Sequence, residues 1–535
     1  MAEFGVLNWS IMGGYVAINL VLGYILGRST NSAQSFYLGN RDIPWWAIGL
    51  SVLATYVSAL SFLGGPAWSY SEGFSVIALH LNYPLVIAVV LIFFLPFFYN
   101  SGAASIYDYM EKRFGKASRS LMSIVFLLSQ TLTAGAILYS TALILAYITG
   151  VSVHYIIVLV AIVALIYTAM GGIAAVIWTD VVQAIVLLVG AGIICYYLIA
   201  GMSLPLVEVL SELKAQGKTN PLDFSLVFNR ENTVIAGLIG MTIFHITVYG
   251  ANQMMVQRTL AAKSIGDAKK AYLLMGFSAI FLYALFFFLG ILFYSYYEGR
   301  VFENSNTIIL EFAASIGVPG LMGILAAAVL AASLSSLDSS FNSLATITTT
   351  DFYQKYIKPQ ADELHYLKAT RWFTLMWASL VIMPAMVYTV SEGSILAVLS
   401  KVGSYFVGAK LSMFGLGFFS RRTAEKGLLV GVAVGFVAIL LVDQFTDISW
   451  AWYGLIGAAV NVVIAIPASM LLDGPQTLSR WSVAGQKAYF AAENLPEKEN
   501  GWYRIPGRVD AISYWLIAFM FAAMGLLFVV NWLIP

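Results

Sequence analysis

A stretch rich in hydroxyl groups lies inside an otherwise very apolar chain, at residues 331–351, AASLSSLDSSFNSLATITTTD. Ten of its 21 residues are Ser or Thr, and Asp338 and Asn342 stand among them. With about 100° per residue, one helical face would carry six of these small residues. They are Ala332, Ser335, Ser336, Ser339, Ser343 and Thr346. Hydroxyl and carboxylate oxygens suit a hard cation, and the shortage of carboxylates favours Na+ over Ca²⁺.

A second isolated carboxylate, Asp180, lies in the apolar segment MGGIAAVIWTDVVQ, residues 170–183. It stands about two turns beyond the Gly171–Gly172 turn, where the electrostatic influence of a helix N-terminus has faded. An ionisable side chain at membrane depth is costly and by default indicates a site or pathway. We therefore predict a functional role for Asp180, the alternative being compensation of the helix N-terminus.

Two apolar segments contain interruptions. The segment 44–70 includes Gly64–Gly65–Pro66, and the segment 231–256 changes character at Gly250, just before Asn252 and Gln253. Helices that break in the middle of a membrane expose carbonyl oxygens, which bind ions in secondary transporters. Because each interrupted segment opens a group of five, the pattern fits a transporter built from two inverted repeats.

The composition indicates the environment that positions these residues. The chain has 535 residues, of which 60% are hydrophobic and 10% charged, and its mean hydropathy is +0.84. Soluble domains carry about 25% charged residues, so we predict an integral membrane protein in contact with the lipid bilayer. Its apolar runs are continuous, which indicates helices rather than a barrel. A net charge of +1 gives no sign of a nucleic-acid partner, and the lone Cys195 excludes an intrachain disulfide.

Fourteen apolar segments are long enough to be membrane spans. They lie near 8–27, 44–70, 73–99, 117–148, 153–169, 175–201, 231–256, 270–298, 318–349, 366–390, 393–418, 425–442, 449–473 and 509–534. Lys and Arg number 22 in one set of connecting loops and four in the other, so the first set is expected to be cytoplasmic. This predicts a multi-pass protein of the cell (plasma or inner) membrane, with both termini extracellular or periplasmic.

Four segments resemble the sodium/solute symporter family in order and spacing. They are SIYDYMEKRFG, YTAMGGIAAVIWTDVVQ, ANQMMVQRTLAAKS and SLSSLDSSFNSLATITTTDFY, within a likeness that runs from about residue 8 to 440. The resemblance implies an all-α protein with a LeuT-like fold of two inverted five-helix repeats. The repeats would be 44–201 and 231–418, with an extra helix in 1–43, an extracellular loop at 202–230, and extra helices in 419–535 that include a cytoplasmic loop near 474–508.

The same resemblance implies where sodium would bind. The principal site would use backbone carbonyls at Ala54, Val57 and Ala332 together with hydroxyls, which fall on Ser335 and Ser336. Some members have a second sodium site, which here would involve Asp180, Asp338 and Ser339. The family has a Ser where this chain has Asp338. That carboxyl group could therefore strengthen the second site, be protonated, or pair with a buried Lys.

The implied solute contacts differ from those of the sugar-transporting members. Asn252 matches a sugar-contacting Asn, whereas a substrate-site Glu corresponds to His80 and a Gln aligns near Ser61. A gating Tyr corresponds to Met254, and the Lys of the sugar members is missing from 273–287. The class of solute therefore stays open between a sugar and an organic acid of the monocarboxylate type.

Two lysines, Lys401 and Lys410, lie in the segment 393–418. They are nine residues apart and so face opposite directions on a helix, which lets at most one of them face a pathway. Lys410 would lie about 25 Å along the helix from residue 393, near the inner surface, where it could snorkel. Lys401, about 12 Å along, is the better candidate to bind a substrate anion. The alternative is a salt bridge or snorkelling for both.

The predicted function is Na+-coupled symport that imports a small polar organic solute by alternating access. The alternative is a solute-gated ion channel, or a sensor of the same fold that does not transport. An enzyme is not expected, because neither a rhomboid-like Gly-x-Ser-Gly motif with a helical His nor a Gly-x-Gly-Asp pair occurs.

Overall fold

The structure is a computed structural model that describes residues 4–27, 32–57, 59–102, 104–303, 305–389, 395–474 and 476–535. It is almost entirely helical. The first part contains α1 (Gly5–Gly27), α2 (Ala33–Leu38), α3 (Trp45–Tyr56), α4 (Ala59–Glu72), α5 (Tyr83–Val89), α6 (Leu95–Ser101), α7 (Asp108–Arg113), α8 (Lys116–Thr149) and α9 (Val153–Ala200). The middle contains α10 (Leu206–Ala215), α11 (Thr242–Gly250), α12 (Gln253–Leu260), α13 (Ile265–Tyr296), α14 (Ile308–Ile316), α15 (Leu321–Ile347), α16 (Glu363–Tyr388) and α17 (Ile395–Phe419). The last part contains α18 (Glu425–Phe445), α19 (Tyr453–Leu472), α20 (Val483–Ala492), β1 (Lys498–Glu499), β2 (Trp502–Tyr503) and α21 (Ala511–Leu533).

The hydroxyl-rich helix α15 is the centre of the molecule. It packs against α1, α3, α8, α9 and α16, and nearly all of its side chains are buried. Helix α21, in contrast, exposes large apolar side chains along most of its length. An apolar outer surface around a core that contains polar groups is the arrangement expected of a protein that lies in lipid.

The first interrupted segment is broken, but earlier than predicted. Helix α3 ends at Tyr56, and α4 runs through Gly64, Gly65 and Pro66, at an angle of 53° to α3. The prediction of a break at the Gly-Gly-Pro sequence is therefore wrong in position. Membrane helices tolerate Pro and Gly because neighbouring groups satisfy the backbone that they free.

The second interruption is where the sequence predicts it. Helix α11 ends at Gly250 and α12 begins at Gln253, with the Asn252 side chain accepting a 2.9 Å hydrogen bond from the Met254 amide. A further break occurs within α9 at Gly172, whose φ is +57°. A Cβ at this position would lie 2.8 Å from the Phe36 carbonyl oxygen, so the chain reverses here against α2 because Gly has no side chain.

Eleven helices of the described chain are long and apolar enough to cross a membrane, and the bent pair α3–α4 makes twelve. The other two predicted spans correspond to shorter apolar helices, Val153–Ile166 and Ala236–Gly250, so the count of 14 is not confirmed. The loop 202–230 contains α10, and the loop near 474–508 contains α20 and the antiparallel ribbon of β1 and β2, in which Lys498 pairs with Tyr503. The division into repeats 44–201 and 231–418 stays a prediction.

Candidate functional site

The broken helix and the hydroxyl-rich helix meet at Ser336. The Ser336 hydroxyl of α15 donates a 2.8 Å hydrogen bond to the Thr55 carbonyl oxygen in the last turn of α3. Carbonyls in the last turn of a helix have no partner within that helix, which leaves them free to bind other groups. Ala54 belongs to the same turn, and Val57 follows it with an extended backbone. The structure therefore brings the predicted α3 positions and the Ser336 hydroxyl to one place.

Asp180 lies beside this junction in a fully buried polar cluster. Its Oδ2 accepts hydrogen bonds from Ser51 at 2.5 Å and Thr55 at 3.2 Å. The same oxygen is 3.1 Å from Nη2 of Arg258, whose side chain is 1% exposed. Arg258 also donates to the Ser51 hydroxyl at 2.7 Å and to the Ser339 hydroxyl. The buried Arg258 thus links three helices: it contacts α9 through the Asp180 carboxylate, α3 through the Ser51 hydroxyl and α15 through the Ser339 hydroxyl.

Two buried oxygen atoms in this cluster make no hydrogen bond of normal geometry to a described residue. They are the Ser335 hydroxyl and Oδ1 of Asp180, although the Ser335 side chain does interact with the Asp180 carboxyl group. Buried polar atoms whose hydrogen bonding is incompletely satisfied favour a further ligand. Hydroxyl and carboxylate oxygens are ligands that a hard monovalent cation accepts. These two residues therefore fit a Na+ ion.

The remaining predicted sodium-binding residues make hydrogen bonds within α15. Asp338 Oδ1 accepts from the backbone N–H of Ser339 at 2.5 Å and from the Ser339 hydroxyl at 3.0 Å. Ser339 also donates to the Ser335 carbonyl oxygen, and the Ala332 carbonyl oxygen is 3.5 Å from the Ser336 hydroxyl. A second sodium site at Asp180, Asp338 and Ser339 would have to share Ser339 with Arg258, and that site stays a prediction.

A large cavity opens directly from the Ser336–Thr55 junction. Its volume is about 230 Å³, and Thr55 and Ser336 both lie in its wall. The predicted solute-contacting residues Ser61, His80 and Asn252 line it as well. Such a concave site, mostly apolar with a few polar groups, is typical of small-molecule binding.

His80 lies in an aromatic wall of this cavity. Its ring stacks on Tyr283 with centroids 3.8 Å apart, and its Nδ1 is 2.9 Å from the Tyr83 hydroxyl. The neighbouring His245 is held by the Tyr56 hydroxyl at 2.9 Å and Asn82 at 3.0 Å. Among the residues that the structure describes, no group of three His, Cys, Asp or Glu could hold a metal ion. His80 therefore belongs to the cavity wall, and His245 contacts the wall residue Tyr56.

The two lysines of α17 keep opposite faces, as their spacing predicts, but Lys401 makes the salt bridge that was the alternative and Lys410 is the one at the cavity. Lys401 does not line the cavity: its Nζ is 2.5 Å from Asp443 of α18, and its side chain is 45% exposed. Lys410 is buried, lines the cavity, and donates a 2.8 Å hydrogen bond to the Ser129 hydroxyl of α8. The depth argument failed because packing of α17 between α8 and α18 decides which of its faces meets the cavity.

Arg258 is a site residue that the sequence did not predict. It falls between the predicted spans 231–256 and 270–298, in a loop expected to be cytoplasmic, whereas it lies in α12 and is buried against Asp180. Its partner is 78 residues away in the chain, so no local spacing connects them. The available signal was its place in the segment ANQMMVQRTLAAKS, directly after an interrupted span.

Comparison with known proteins gives a consistent result. The sodium:solute symporter family matches residues 36–435. The sodium/sialic acid symporter NanT of Aliivibrio fischeri is 31% identical over 470 residues, covering 86% of this chain and 92% of NanT. The sodium/sialic acid symporter SiaT of Proteus mirabilis is 28% identical over 474 residues, covering 86% and 94% respectively.

A solved structure shows the same architecture. It is a Na+-coupled sialic acid symporter in a substrate-bound, outward-open state, and it matches with a TM-score of 0.82 and 27% identity, covering 89% of this chain and 100% of that one. The LeuT-like helical architecture is thereby confirmed. The relatives are transporters, and they do not support the alternatives of an enzyme, a channel or a sensor. The chain belongs to the sodium:solute symporter family and is a sodium-coupled solute symporter.

Proposed function

We propose that this symporter imports a small polar organic solute, of the sugar or organic-acid (monocarboxylate) type, together with Na+ by alternating access. The main support is that Ser336 and Thr55 are joined by a hydrogen bond and both form part of the cavity wall. A solute in the cavity and an ion at the α3–α15 junction would therefore touch the same residues. Each ligand would favour the arrangement that the other needs, so their binding free energies become coupled.

The proposed sodium ligands are the carbonyl oxygens of Ala54, Val57 and Ala332 with the hydroxyls of Ser335 and Ser336. The buried Ser335 hydroxyl beside the Asp180 carboxyl group and the hydrogen bond of Ser336 to the end of α3 support this set. A bound cation would replace the hydrogen bond between Ser336 and Thr55 and join α3 to α15 more strongly. This set places the ion between two elements that belong to different predicted repeats.

The proposed solute contacts are Ser61, His80 and Asn252, on three separate elements of the cavity wall. His80 presents a ring edge and a nitrogen next to the Tyr83 hydroxyl, and Asn252 presents an amide 3.4 Å from Gln130. Polar groups of this kind orient a polar solute, while the aromatic wall contacts its apolar faces.

Alternating access requires bonds that hold the helices together on one side of the cavity, and α12 makes such bonds. The Gln257 side chain donates to Asn342 at 2.9 Å, and Gln253 accepts from the Ile106 amide at 3.0 Å. Release past α12 would require α12 to separate from α15. By the charge distribution of the loops, the loop that follows α12 is cytoplasmic and both termini lie outside the cell.

The test is uptake into proteoliposomes of labelled sugars, monocarboxylates and sugar acids, with and without an inward Na+ gradient. Accumulation of at least one of them that depends on Na+ is expected. The double variant Ser335→Ala/Ser336→Ala should abolish this uptake, whereas Ser333→Ala should preserve it, because Ser333 bonds to Thr141 of α8 instead. Undiminished uptake in the double variant overturns the proposed sodium ligands, and failure of every solute overturns the proposed import.

A further inference from the structure

The buried cations of the described chain include one without a carboxylate. Four Lys or Arg residues are less than 9% exposed. Arg119 pairs with Asp351 at 2.6 Å, Arg258 with Asp180 at 3.1 Å, and Lys269 with Asp510 at 2.5 Å. The fourth, Lys410, is 8% exposed, and it donates a 2.8 Å hydrogen bond to the neutral Ser129 hydroxyl. A buried charge is costly unless it is paired, so Lys410 is the exception that needs a reason.

The surroundings of Lys410 favour an anion. Among the described residues of the cavity wall there is no Asp or Glu, and Lys410 is the one Lys or Arg. Neighbouring positions on the wall supply neutral polar groups from α8, namely Ser129, Gln130 and Thr133. An ammonium group has three N–H donors, and Ser129 takes one, which leaves two for a ligand.

The N-terminus of α12 adds to the positive electrostatic potential in the cavity. Helix α12 begins at the cavity wall, where its cap Asn252 and the first-turn residues Met254 and Met255 are lining residues. The N-terminus of a helix carries a partial positive charge, which favours an anion by about 0.3–1 kcal/mol. The cavity therefore combines a full positive charge on one wall with a partial one on another, and no carboxylate among its described lining residues opposes them.

We propose that the transported solute is an organic carboxylate, and that Lys410 binds its carboxylate group. The inference rests on the proposed function, since it assigns the charge of the solute that this cavity carries. The cavity volume of about 230 Å³ and the aromatic side chains Tyr56, Phe244 and Tyr283 indicate an organic body attached to the anionic group. A role for Lys410 as a simple hydrogen-bond donor to Ser129 would not require a charge, and a neutral side chain would serve it at lower cost.

The experiment measures binding to the purified full-length protein in saturating Na+, by thermal shift. The probes are three matched pairs: sialic acid and its methyl ester, lactate and lactamide, and glucuronate and glucose. We expect at least one carboxylate to bind more tightly than its neutral partner. Lys410→Met should weaken that binding about 10- to 100-fold, which is the loss of a hydrogen bond to a charged group. Lys410→Arg, which keeps the charge, should weaken it less.

Two controls separate this inference from its alternatives. Lys401→Met removes a lysine of the same helix that is paired with Asp443, and it should leave carboxylate binding unchanged. Stabilisation of Lys410→Met by Na+ alone shows that this variant is folded and that its ion site is intact.

The inference is overturned if none of the three carboxylates binds, if the neutral partners bind equally well, or if Lys410→Met binds the carboxylate as the unmodified chain does. Na+-driven uptake of glucose that Lys410→Met does not change would overturn it while leaving the proposed import intact. Loss of Na+-driven uptake for every solute would instead count against the proposed function.

Discussion

The ion pair between Asp180 and Arg258 allows a quantitative prediction. The two charged groups approach to 3.1 Å and are 0% and 1% exposed. At an effective dielectric constant of about 20, this separation corresponds to an attraction of about 5 kcal/mol. Removing one partner of a buried pair costs about 3–5 kcal/mol, because the other charge is left without compensation. Arg258→Met should therefore lower the free energy of unfolding by about 3–5 kcal/mol.

A double-mutant cycle separates the charge pair from other effects of the substitution. Asp180→Asn removes the orphaned carboxylate, so Arg258→Met should cost much less in the Asp180→Asn background than in the unmodified chain. The assay is reversible unfolding in mixed micelles of increasing denaturing-detergent content, followed by tryptophan fluorescence in K+ buffer. An equal cost of Arg258→Met in both backgrounds would refute the reasoning, since the two side chains would then be energetically independent.

Sodium gives the same cycle a second readout. If Na+ binds at Asp180, it should take over part of the role of the guanidinium group when Arg258 is absent. A ligand at 100 times its Kd stabilises the folded state by about 2.7 kcal/mol. The deficit of Arg258→Met should therefore be smaller in Na+ than in K+, and this difference should vanish when Asp180→Asn is added. A deficit that is the same in both salts would show that Na+ does not replace the guanidinium group at the Asp180 carboxylate.

Two further predictions concern the framework around the site. Gly290→Ala should destabilise the protein by about 1–3 kcal/mol, because its Cβ would clash with the Pro66 carbonyl oxygen and the Ser69 hydroxyl. Gly192→Ala is the control, since its Cβ would meet open space. Equal melting temperatures for the two variants would contradict this packing. Lys269→Met should leave Asp510 buried without its charged partner and speed proteolysis in 498–510. Asp267→Asn, which removes the more exposed ion pair with Lys270, should not change the cleavage rate. Unchanged cleavage of Lys269→Met would show that the Lys269–Asp510 pair does not hold this segment.

The sequence by itself determined the class of protein and most of its helices. Apolar run length and charge density are local properties, and the bilayer requires that each span satisfy its own backbone hydrogen bonds. The interruption after Gly250 was also readable, because Asn252 is a good helix cap and interrupts an apolar run. The hydroxyl face of 331–351 was also predictable, since spacing of three and four residues defines a helical face. The choice of Ser335 and Ser336 on that face came from the family resemblance.

Tertiary packing decided where the partners of these residues lie. The break after Tyr56 has no Gly or Pro next to it, and the carbonyl exposed there is met by Ser336, 281 residues away. In the same way, α12 brings Arg258 to Asp180, although the sequence analysis assigned that Arg to a loop. A single sequence contains no signal for such contacts, because they depend on how separate helices meet.

The two lysines of α17 show most directly what residue spacing can and cannot predict. Their spacing established that at most one could face a pathway, and this is what the structure has. Which one does so was decided by the neighbours: Asp443 of α18 compensates Lys401, and α8 places Ser129 and the cavity beside Lys410. The helical period is a property of the chain alone, whereas the identity of the element on each side of a helix is a property of the fold.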